Sequence, residues 1–366
     1  MRNNNCMGIV FCNFGDENLT ELTTLRTVGS VPFGCRYRLI DFTLSSLVNA
    51  GISKVGLLTR RNFQSLSDHV GNGRPWDLAR KKGGLCILSP YLFGSTGIYE
   101  GKIDALYGCM NYLEKSSEEY VIISDSNVVA NINLEKMIDE HNETGADITI
   151  AYKKNLDGDT YITLNGKRAI GFAAADEADV KENCSLNIML MKKDLLIKLV
   201  CEANRHNYTD LNSDILQRSV DDLIINGYEI TEYASIINSM QSYFNTNMEL
   251  LKKDVRDDLF NMNNPVFTKL RDDMPSRYGF DSSVSDSLIA DGCIIEGEVK
   301  NSIIFRGVHV GKNAKVENCI LMQSAEVGDN TKLSYVIADK NVTFKNERTL
   351  VGCLSFPLVI GKGLTV

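Results

Sequence analysis

The feature of this sequence that most constrains its fold is a six-residue spacing of apolar residues toward the C-terminal end of the chain. The spaced residues are Ile304, Val310, Val316 and Met322, followed after a shift of one residue by Val327 and Leu333. A period of six matches neither the 3.6-residue turn of a helix nor the alternation of a single strand. It matches the hexapeptide repeat, in which three short strands form one coil of a β-helix. We therefore predict a left-handed parallel β-helix over residues 286–366, with a run of short antiparallel strands as the alternative.

The first two thirds of the chain alternate strand-like apolar runs with helix-like segments. The strand-like runs lie at residues 7–12, 54–59, 120–125 and 147–152, and helical patterns lie at residues 44–50 and 105–113. Alternation of this kind indicates an α/β domain with a mixed, mostly parallel sheet that is covered on both faces. Ligands of such domains bind beyond the C-terminal ends of the strands, so we expect functional residues at those ends.

A polar connector separates these two regions. It covers roughly residues 252–285, includes Pro265 and Pro275, and carries many charged side chains. Such a stretch is typical of a domain boundary. We therefore predict an α/β domain at 1–251, a linker at 252–285 and a β-helix domain at 286–366. The stacked coils of a β-helix leave an open end and a flat flank where subunits can meet, so we also expect an oligomer.

The charge of the chain argues against two classes of partner. Its 39 Lys and Arg residues are outnumbered by 47 Asp and Glu residues, which gives a formal net charge of −8. An acidic chain without basic clusters lacks the electrostatic footprint of nucleic-acid-binding proteins and of proteins held to anionic membranes. The ten cysteines show no paired spacing, and the polar start of the chain does not resemble a signal peptide. We therefore expect a cytoplasmic protein with reduced thiols.

A series of motifs points to a known family. The motifs lie at residues 31–42 (VPFGCRYRLIDF), 43–52 (TLSSLVNAGI), 65–70 (SLSDHV), 76–78 (WDL), 99–105 (YEGKIDA), 124–126 (SDS), 141–147 (HNETGAD), 210–216 (DLNSDIL) and 243–250 (YFNTNMEL). In this order they resemble the motifs of bacterial glucose-1-phosphate adenylyltransferases over nearly the whole chain. The resemblance implies a Rossmann-like nucleotidyltransferase domain and a reaction that joins glucose 1-phosphate to ATP, giving ADP-glucose and pyrophosphate. Catalysis of that reaction depends on positioning the substrates and neutralising charge.

The loop that grips the nucleotide phosphates in that family is altered in this chain. The family has a glycine-rich turn before the VPF segment, and residues 12–33 fill the same span without a gap, with Arg26 keeping the frame. The residues in place of the three glycines are Asn13, Phe14 and Asp16. Their side chains fill space that the backbone would leave for a triphosphate. Asp16 and its neighbour Glu17 are also expected to add negative charge that faces the polyanion.

At further positions implied by the resemblance, this chain lacks the functional residue of the family. Asn18 and Val28 stand where the family has the arginine and the lysine of the loop, and Ala175 stands where it has a lysine that holds the sugar phosphate. Asp125 remains at the place of a magnesium-binding aspartate, but the second such aspartate corresponds to Ile236. One carboxylate is a poor magnesium site unless substrate phosphates complete it.

A few residues remain weak candidates for binding a nucleotide, a metal ion or another anionic ligand. Gly101 and Asp104 belong to the segment at 99–105, which resembles Y-x-G-T-A-D-A near the nucleotide, and with Asp125 they are candidate nucleotide contacts. Asp125 is the remaining candidate metal ligand and a vestigial catalytic residue, or else a simple turn residue. Mg and ATP are implied by the resemblance alone, and no cofactor is required. Arg36 and Arg38 could bind an anionic effector or a partner, although packing and ion pairing are the favoured roles.

These observations predict a D-type regulatory subunit of bacterial glucose-1-phosphate adenylyltransferase. The chain itself would be non-catalytic or weakly catalytic, and it would assemble with a catalytic subunit in glycogen biosynthesis, or form a homo-oligomer alone. Two alternatives stay open. One is an active sugar-1-phosphate nucleotidylyltransferase with a rearranged loop, and the other is a binding module that senses sugar phosphates or nucleotides.

Overall fold

The N-terminal part of the chain forms a sheet flanked by helices. The computed structural model describes residues 5–89, 99, 101–178 and 180–366, so the polar residues 1–4 and Glu100 of the 99–105 motif lie outside the described residues. The strands of this part are β1 (Cys6–Phe11), β2 (Pro32–Phe33), β3 (Tyr37–Arg38), β4 (Lys54–Leu58), β5 (Gly84–Leu88), β6 (Tyr120–Asp125), β7 (Val128–Ala130), β8 (Ile148–Lys154), β9 (Thr160–Asn165), β10 (Arg168–Ala174), β11 (Asn183–Lys192), β12 (Ile225–Glu229) and β13 (Ala234–Ile236).

Nine of these strands form one sheet, in the order β5-β4-β1-β6-β11-β8-β12-β10-β9. The strands on both sides of β1 pair with it in parallel, whereas β11 runs antiparallel to its neighbours β6 and β8. From the remaining pairings, β10 and β11 are the two strands that are antiparallel to the other described strands of this sheet. The prediction of a mixed, mostly parallel sheet is therefore confirmed. The register pairs Phe11 with Asp125, so the loop after β1 and the end of β6 meet at one edge.

Helices cover both faces of this sheet. They are α1 (Thr20–Thr23), α2 (Leu39–Asn49), α3 (Gln64–Val70), α4 (Lys102–Gly108), α5 (Met110–Glu114), α6 (Leu134–Thr144), α7 (Lys193–Arg205), α8 (Gln217–Ser219), α9 (Met240–Glu249) and α10 (Lys253–Leu259), with short 3-10 turns at Asp16–Leu19, Val28–Ser30 and Arg74–Trp76 and a π-helical turn at Asn212–Leu216. Successive residues of a strand point to opposite faces. Accordingly, Val10 of β1 packs in the cluster that holds Leu44 and Leu47 of α2, and Ile9 packs in the cluster that holds Leu106 of α4.

The C-terminal part is a three-sided stack of short parallel strands. These are β14 (Arg277–Tyr278), β15 (Ser283–Ser285), β16 (Leu288–Ile289), β17 (Ile294–Ile295), β18 (Glu298–Lys300), β19 (Ile303–Ile304), β20 (His309–Val310), β21 (Lys315–Glu317), β22 (Ile320–Leu321), β23 (Glu326–Val327), β24 (Lys332–Ser334), β25 (Val336–Ala338), β26 (Thr343–Phe344), β27 (Thr349–Val351) and β28 (Leu358–Ile360). Each side is a five-stranded sheet, and the three sheets begin at β14, β15 and β16. This arrangement confirms the predicted β-helix of the left-handed hexapeptide type.

The length of one coil explains the shift in the apolar pattern. Stacked positions 17 residues apart are Glu298 and Lys315, Lys315 and Lys332, and Lys332 and Thr349. Each of these coils is thus one residue shorter than three hexapeptides, and the pattern shifts once within it. At the start of the stack the spacing is shorter, since Ser283 stacks on Glu298 and Leu288 on Ile303, 15 residues later. The inward position after Val316 is Leu321, which stacks on Ile304, and not Met322 as the six-residue spacing indicated. The shift of one residue therefore comes before this position and not after it. Met322 instead packs in a cluster shared with the N-terminal part.

The β-helix also begins earlier than residue 286. β14 and β15 pair with β17 and β18 of the next coil, so residues 277–285 belong to the stack. This first coil escaped the sequence pattern because it ends the stack, where Ser283, Val284 and Ser285 are all exposed. The division of the chain into two domains and a linker stays a prediction, with the second boundary shifted toward Arg277.

A buried ion pair joins the two parts of the chain. Arg26 Nη2 lies 2.8 Å from Asp339 Oδ2, and the two side chains are 4% and 2% exposed. The apolar cluster common to both parts includes Leu19, Val28, Phe33 and Phe42 of the N-terminal part and Ile303, Ile320, Met322 and Ile337 of the β-helix. The β-helix is therefore packed against the segment that follows β1, and its position depends on that segment.

Two predictions from composition can be compared with the structure. All ten cysteines lie among the described residues, and each is a free thiol. Most of them are buried, where a thiol packs as a small hydrophobe. Among the helices of the described ranges, none is long and apolar enough to cross a membrane.

We expect Arg26→Ala to lower the free energy of unfolding by about 3–5 kcal/mol, because Asp339 would be left as a buried carboxylate without its counter-charge. The matched control is Arg80→Ala, which removes the exposed ion pair with Asp77 and should change the free energy by less than about 1 kcal/mol. Chemical denaturation followed by circular dichroism measures both. Equal effects of the two substitutions would contradict a structural role for the buried pair.

Candidate functional site

The loop after β1 is closed by hydrogen bonds from its own side chains. Asn13 Oδ1 accepts from the backbone N–H of Arg60 at 2.8 Å, and Asn13 Nδ2 donates to the carbonyl oxygen of Arg61 at 2.9 Å. The same Nδ2 also donates to Asp16 Oδ2 at 2.7 Å. These bonds tie the loop to the segment after β4. A glycine in place of Asn13 would leave the N–H of Arg60 open to a ligand.

The carboxylate of Asp16 points into the protein. Its Oδ1 accepts from the backbone N–H of Val28 at 2.7 Å, and its side chain is largely removed from water. Burial raises the pKa of this carboxyl group to about 6. The expectation that Asp16 faces a phosphate ligand is therefore wrong, because the buried N–H of Val28 requires an acceptor inside the protein. Of the two acidic residues, Glu17 is the exposed one.

The other altered loop positions also lack groups that could bind phosphate. The ring of Phe14 packs edge-on against Phe11, with 5.1 Å between centroids, and the guanidinium group of Arg60 lies 5.4 Å from the Phe14 centroid. Val28 is fully buried in the cluster that joins the two parts of the chain, and Asn18 is exposed. The loop is thus packed by the ring of Phe14 and held by two hydrogen bonds that the Asp16 carboxylate accepts, from the side-chain amide of Asn13 and the backbone N–H of Val28.

Asp125, at the end of β6, is paired with a side chain of the protein. Lys102 Nζ lies 2.7 Å from Asp125 Oδ2, and Asn187 Nδ2 donates to the same oxygen at 2.9 Å. The other carboxylate oxygen, Oδ1, is buried and has no hydrogen-bond partner. Lys102 is the residue that stands in place of the threonine of the Y-x-G-T-A-D-A motif.

The residues around Asp125 do not fit a magnesium ion. Mg²⁺ requires an octahedron of oxygen ligands, and Asp125 already shares one of its two oxygens with an ammonium and an amide group. An ammonium group at this distance repels a second cation. Ile236 supplies an apolar side chain where a second carboxylate was expected. Within the described ranges, no group of three or more His, Cys, Asp or Glu residues lies close enough to hold a metal ion.

The positions expected for the second magnesium-binding aspartate and for the sugar-phosphate lysine hold the apolar residues Ile236 and Ala175. Ile236 ends β13 and is 5% exposed. Ala175 follows β10 and packs against the same apolar cluster, which also contains Tyr161 and Cys184. Core packing is sufficient to explain both residues. Neither residue offers a donor or a charge to a phosphate group.

The two remaining candidates lie next to Lys102. At Gly101, an added Cβ atom would come within 2.3 Å of the carbonyl oxygen of Thr209, so glycine is needed there for close packing of two protein segments. Asp104 is half-buried in the first turn of α4. A role of Gly101, Asp104 and Asp125 in nucleotide contact stays a prediction.

A second site lies between the two parts of the chain. It is a small pocket of about 50 Å³. Its basic lining residues are Arg36, Arg38, His69, Lys269, Arg271, Arg306 and Lys340. Arg38 Nη1 donates to the carbonyl oxygen and the hydroxyl of Ser65 at 2.7 and 2.9 Å, which agrees with its favoured packing role. Arg306 faces Asp273 at 3.6 Å, but its Nη2 is buried without a hydrogen-bond partner.

The charges of this pocket act on Lys340, which follows the interdomain residue Asp339. Burial, together with the nearby guanidinium groups of Arg38, Arg26 and Arg271, lowers the pKa of the Lys340 ammonium to about 7, against a smaller opposing effect of Asp339. Burial is the largest cause of this shift, and the guanidinium contributions add to it because positive charge is concentrated around Lys340. A small anion would offset that charge.

Sequence reasoning found only the part of this pocket that lies in a motif. Arg36 and Arg38, in the 31–42 segment, were considered as contacts for an anionic effector or a partner, with packing and ion pairing as the favoured roles. Lys269, Arg306 and Lys340 come from the connector and the β-helix, more than two hundred residues later. The pairing of Lys102 with Asp125 was missed as well, although the exchange of a threonine for a lysine inside the 99–105 motif was a visible signal.

Comparisons with known proteins agree with this architecture. Residues 17–161 match the nucleotidyl transferase family model, and residues 273–353 match the model of the GlmU-like C-terminal hexapeptide. The chain is 37% identical to the glycogen biosynthesis protein GlgD of Bacillus subtilis over 371 residues, which covers 100% of this chain and 98% of the relative. It is 31% identical to a glucose-1-phosphate adenylyltransferase of Fusobacterium nucleatum over 326 residues, covering 86% of this chain and 85% of that enzyme.

We expect Asp16→Ala to lower the free energy of unfolding by about 1–3 kcal/mol, because the N–H of Val28 and the amide of Asn13 would lose a buried acceptor. Glu17→Ala, at the exposed neighbouring position, is the control and should change it by no more than about 0.5 kcal/mol. Hydrogen exchange at the Val28 amide should accelerate in the first variant alone. Unchanged protection at that amide would show that Asp16 does not hold the loop closed.

Proposed function

The chain belongs to the family of GlgD and glucose-1-phosphate adenylyltransferase proteins, and from that premise we propose that it is a regulatory subunit of the adenylyltransferase of glycogen biosynthesis. It assembles with a catalytic subunit and changes the rate of ADP-glucose formation by that subunit. Alone, it makes little or no ADP-glucose.

The closed loop after β1 is the observation that carries this proposal. A nucleotidyltransferase places its substrate with N–H groups and cations that are directed at the phosphates. In this chain, the N–H groups of Val28 and Arg60 are bonded to Asp16 and Asn13 at 2.7 and 2.8 Å. These two donors are therefore satisfied within the protein and are not offered to a triphosphate. An active enzyme with a rearranged loop would need other donors here. Phe14 and Ile236 supply none, so that role would fall to groups such as the Arg60 guanidinium beside the Phe14 ring.

Assembly with a catalytic chain is supported by the shared architecture. Relatives named as adenylyltransferases align with 86% and 85% of this chain, which is more than its α/β part alone. Chains that share a fold can take equivalent positions in one symmetric assembly. A hetero-oligomer with the catalytic subunit follows from that similarity, and a homo-oligomer is the expected state of the chain when the partner is absent.

The basic pocket between the two parts favours an additional sensing role within the same proposal. Its lining has six Lys and Arg side chains, and the carboxylates that act on them include Asp41 and Asp68 at Arg38, Asp273 at Arg306 and Asp339 at Lys340. An anion bound there would contact both the N-terminal part and the β-helix. The binding of a phosphorylated metabolite could therefore change the relative position of the two parts and so the contact with a partner.

The first test mixes the purified chain with a catalytic subunit. We expect one complex heavier than either protein alone by native mass spectrometry, and a changed rate of pyrophosphate release relative to the catalytic subunit. The chain alone should turn over at least about 10³-fold more slowly than the catalytic subunit, since several charge-stabilising groups are missing.

The control for this test replaces the chain with an equal amount of additional catalytic subunit. Turnover by the chain alone at a rate near that of the catalytic subunit would favour the rearranged enzyme. A chain that stays separate and leaves the rate unchanged would favour the independent binding module.

The second test uses the pH dependence of anion binding. Because the pKa of Lys340 is about 7 without an anion, a bound anion stabilises the charged ammonium, and binding takes up a proton above that pH. Sulfate affinity should therefore fall about tenfold between pH 6 and pH 8. Isothermal titration at both pH values measures it.

The matched variant for the second test is Lys340→Met, which should bind sulfate more weakly and lose most of this pH dependence. The exposed Lys345→Met is the control and should behave as the unchanged chain. Equal sulfate affinity of the unchanged chain at pH 6 and pH 8 would rule out Lys340 as the titrating group.

A further inference from the structure

Asp125 lies where a carboxylate requires a positive charge. It ends β6 in the middle of the sheet, its side chain is 8% exposed, and one of its oxygens is buried without a partner. A buried carboxylate without a counter-charge is strongly unfavourable. Since the nearby residues do not fit a magnesium ion, the counter-charge must come from the protein itself.

Lys102 supplies this charge from a fixed position. It begins α4 directly after Gly101, whose backbone is held against Thr209 by close packing. Its side chain is 14% exposed and passes over the ring of Phe11, with Nζ 5.4 Å from the ring centroid. Phe11 is paired in register with Asp125. The ammonium group is thus directed to the carboxylate by both the helix and the sheet.

The carboxylate oxygen that contacts Lys102 is also held by a chain of amides. Asn187 donates to Asp125 Oδ2, and Asn212 Nδ2 donates in turn to Asn187 Oδ1 at 3.2 Å and to Thr160 Oγ1 at 3.1 Å. Asn187 has a positive φ of 54° at an irregularity in the pairing of β11 with β8. The backbone there departs from the regular strand, which brings the amide of Asn187 to Asp125.

From these contacts we propose that Lys102 is a tethered cation that takes the place of a divalent metal ion in this cleft. The ammonium group supplies the counter-charge of the Asp125 carboxylate and closes the site to divalent cations. Removing the ammonium group should leave a buried carboxylate without its counter-charge and a space beside it, which a cation from solution could then enter. This inference concerns the isolated chain and holds whether or not the chain regulates a catalytic subunit.

The test is binding of Mn²⁺, used alone as the probe and followed by electron paramagnetic resonance. The unchanged chain should show no Mn²⁺ binding that depends on Asp125. Lys102→Ala should bind Mn²⁺ about tenfold or more tightly than the unchanged chain, because a repelling charge within bonding distance is gone. The double variant Lys102→Ala/Asp125→Asn should lose that binding. Lys154→Ala, which breaks the exposed ion pair with Glu229, is the control and should bind as the unchanged chain does.

Stability gives a second readout that does not depend on metal binding. Lys102→Ala should lower the melting temperature, and adding Asp125→Asn should restore much of the loss because the uncompensated charge is removed. Mn²⁺ should raise the melting temperature of Lys102→Ala and leave that of the unchanged chain at its original value.

Three results would overturn the proposal. One is Mn²⁺ binding by the unchanged chain that is lost in Asp125→Asn. Another is a folded Lys102→Ala variant that binds Mn²⁺ no better than the unchanged chain. The third is a Mn²⁺-dependent rise in the melting temperature of the unchanged chain that Asp125→Asn abolishes. If Lys102→Ala does not fold, this comparison of the unchanged chain with Asp125→Asn decides alone.

Discussion

The hydrogen bond from the Val28 amide to Asp16 determines the shape of a segment on which two sites depend. The bond closes residues 16–28 into a compact excursion after β1. At one end of that excursion lies the sealed loop, and near the other lies Arg26, whose guanidinium group is buried against Asp339 of the β-helix. Lys340, the next residue along the β-helix, lines the basic pocket. One short stretch of chain therefore links the closed loop after β1, the Arg26–Asp339 contact and the basic pocket. Through this stretch, an anion bound in the pocket could affect the contact between the two parts of the chain.

The fold could be predicted to a large extent because the spacing of apolar residues along the chain indicates its strands, helices and coils. The six-residue spacing predicted the β-helix, and the apolar runs predicted strands of the sheet, since both patterns reflect which side chains face a core. The pattern failed where burial was incomplete. The first coil is exposed at the end of the stack, and Met322 is buried against another part of the chain rather than inside its own coil. A pattern reports that a side chain is buried, and it does not report what covers the side chain.

The candidate site could be predicted mainly through what was missing from it. Asn13, Phe14, Asp16 and Ile236 stood out because the resemblance supplied the residues that they replace. What the sequence could not give was the direction of the new side chains. Asp16 counts as a negative charge in the sequence, but a buried amide 12 residues later turns it inward. Lys102 and Asp125 are 23 residues apart, and only the packing of α4 on the sheet makes them partners.

The replacements in the cleft have a common physical character. A site built to bind a ligand keeps donors and charges unsatisfied until the ligand arrives, and this lowers the stability of the free protein. In this chain, the corresponding groups are satisfied internally: amides by Asn13 and Asp16, a carboxylate by Lys102, and the remaining space by apolar side chains. Loss of activity alone would remove functional groups at random and leave their partners exposed. The compensated pattern instead favours a chain selected to keep this fold stable.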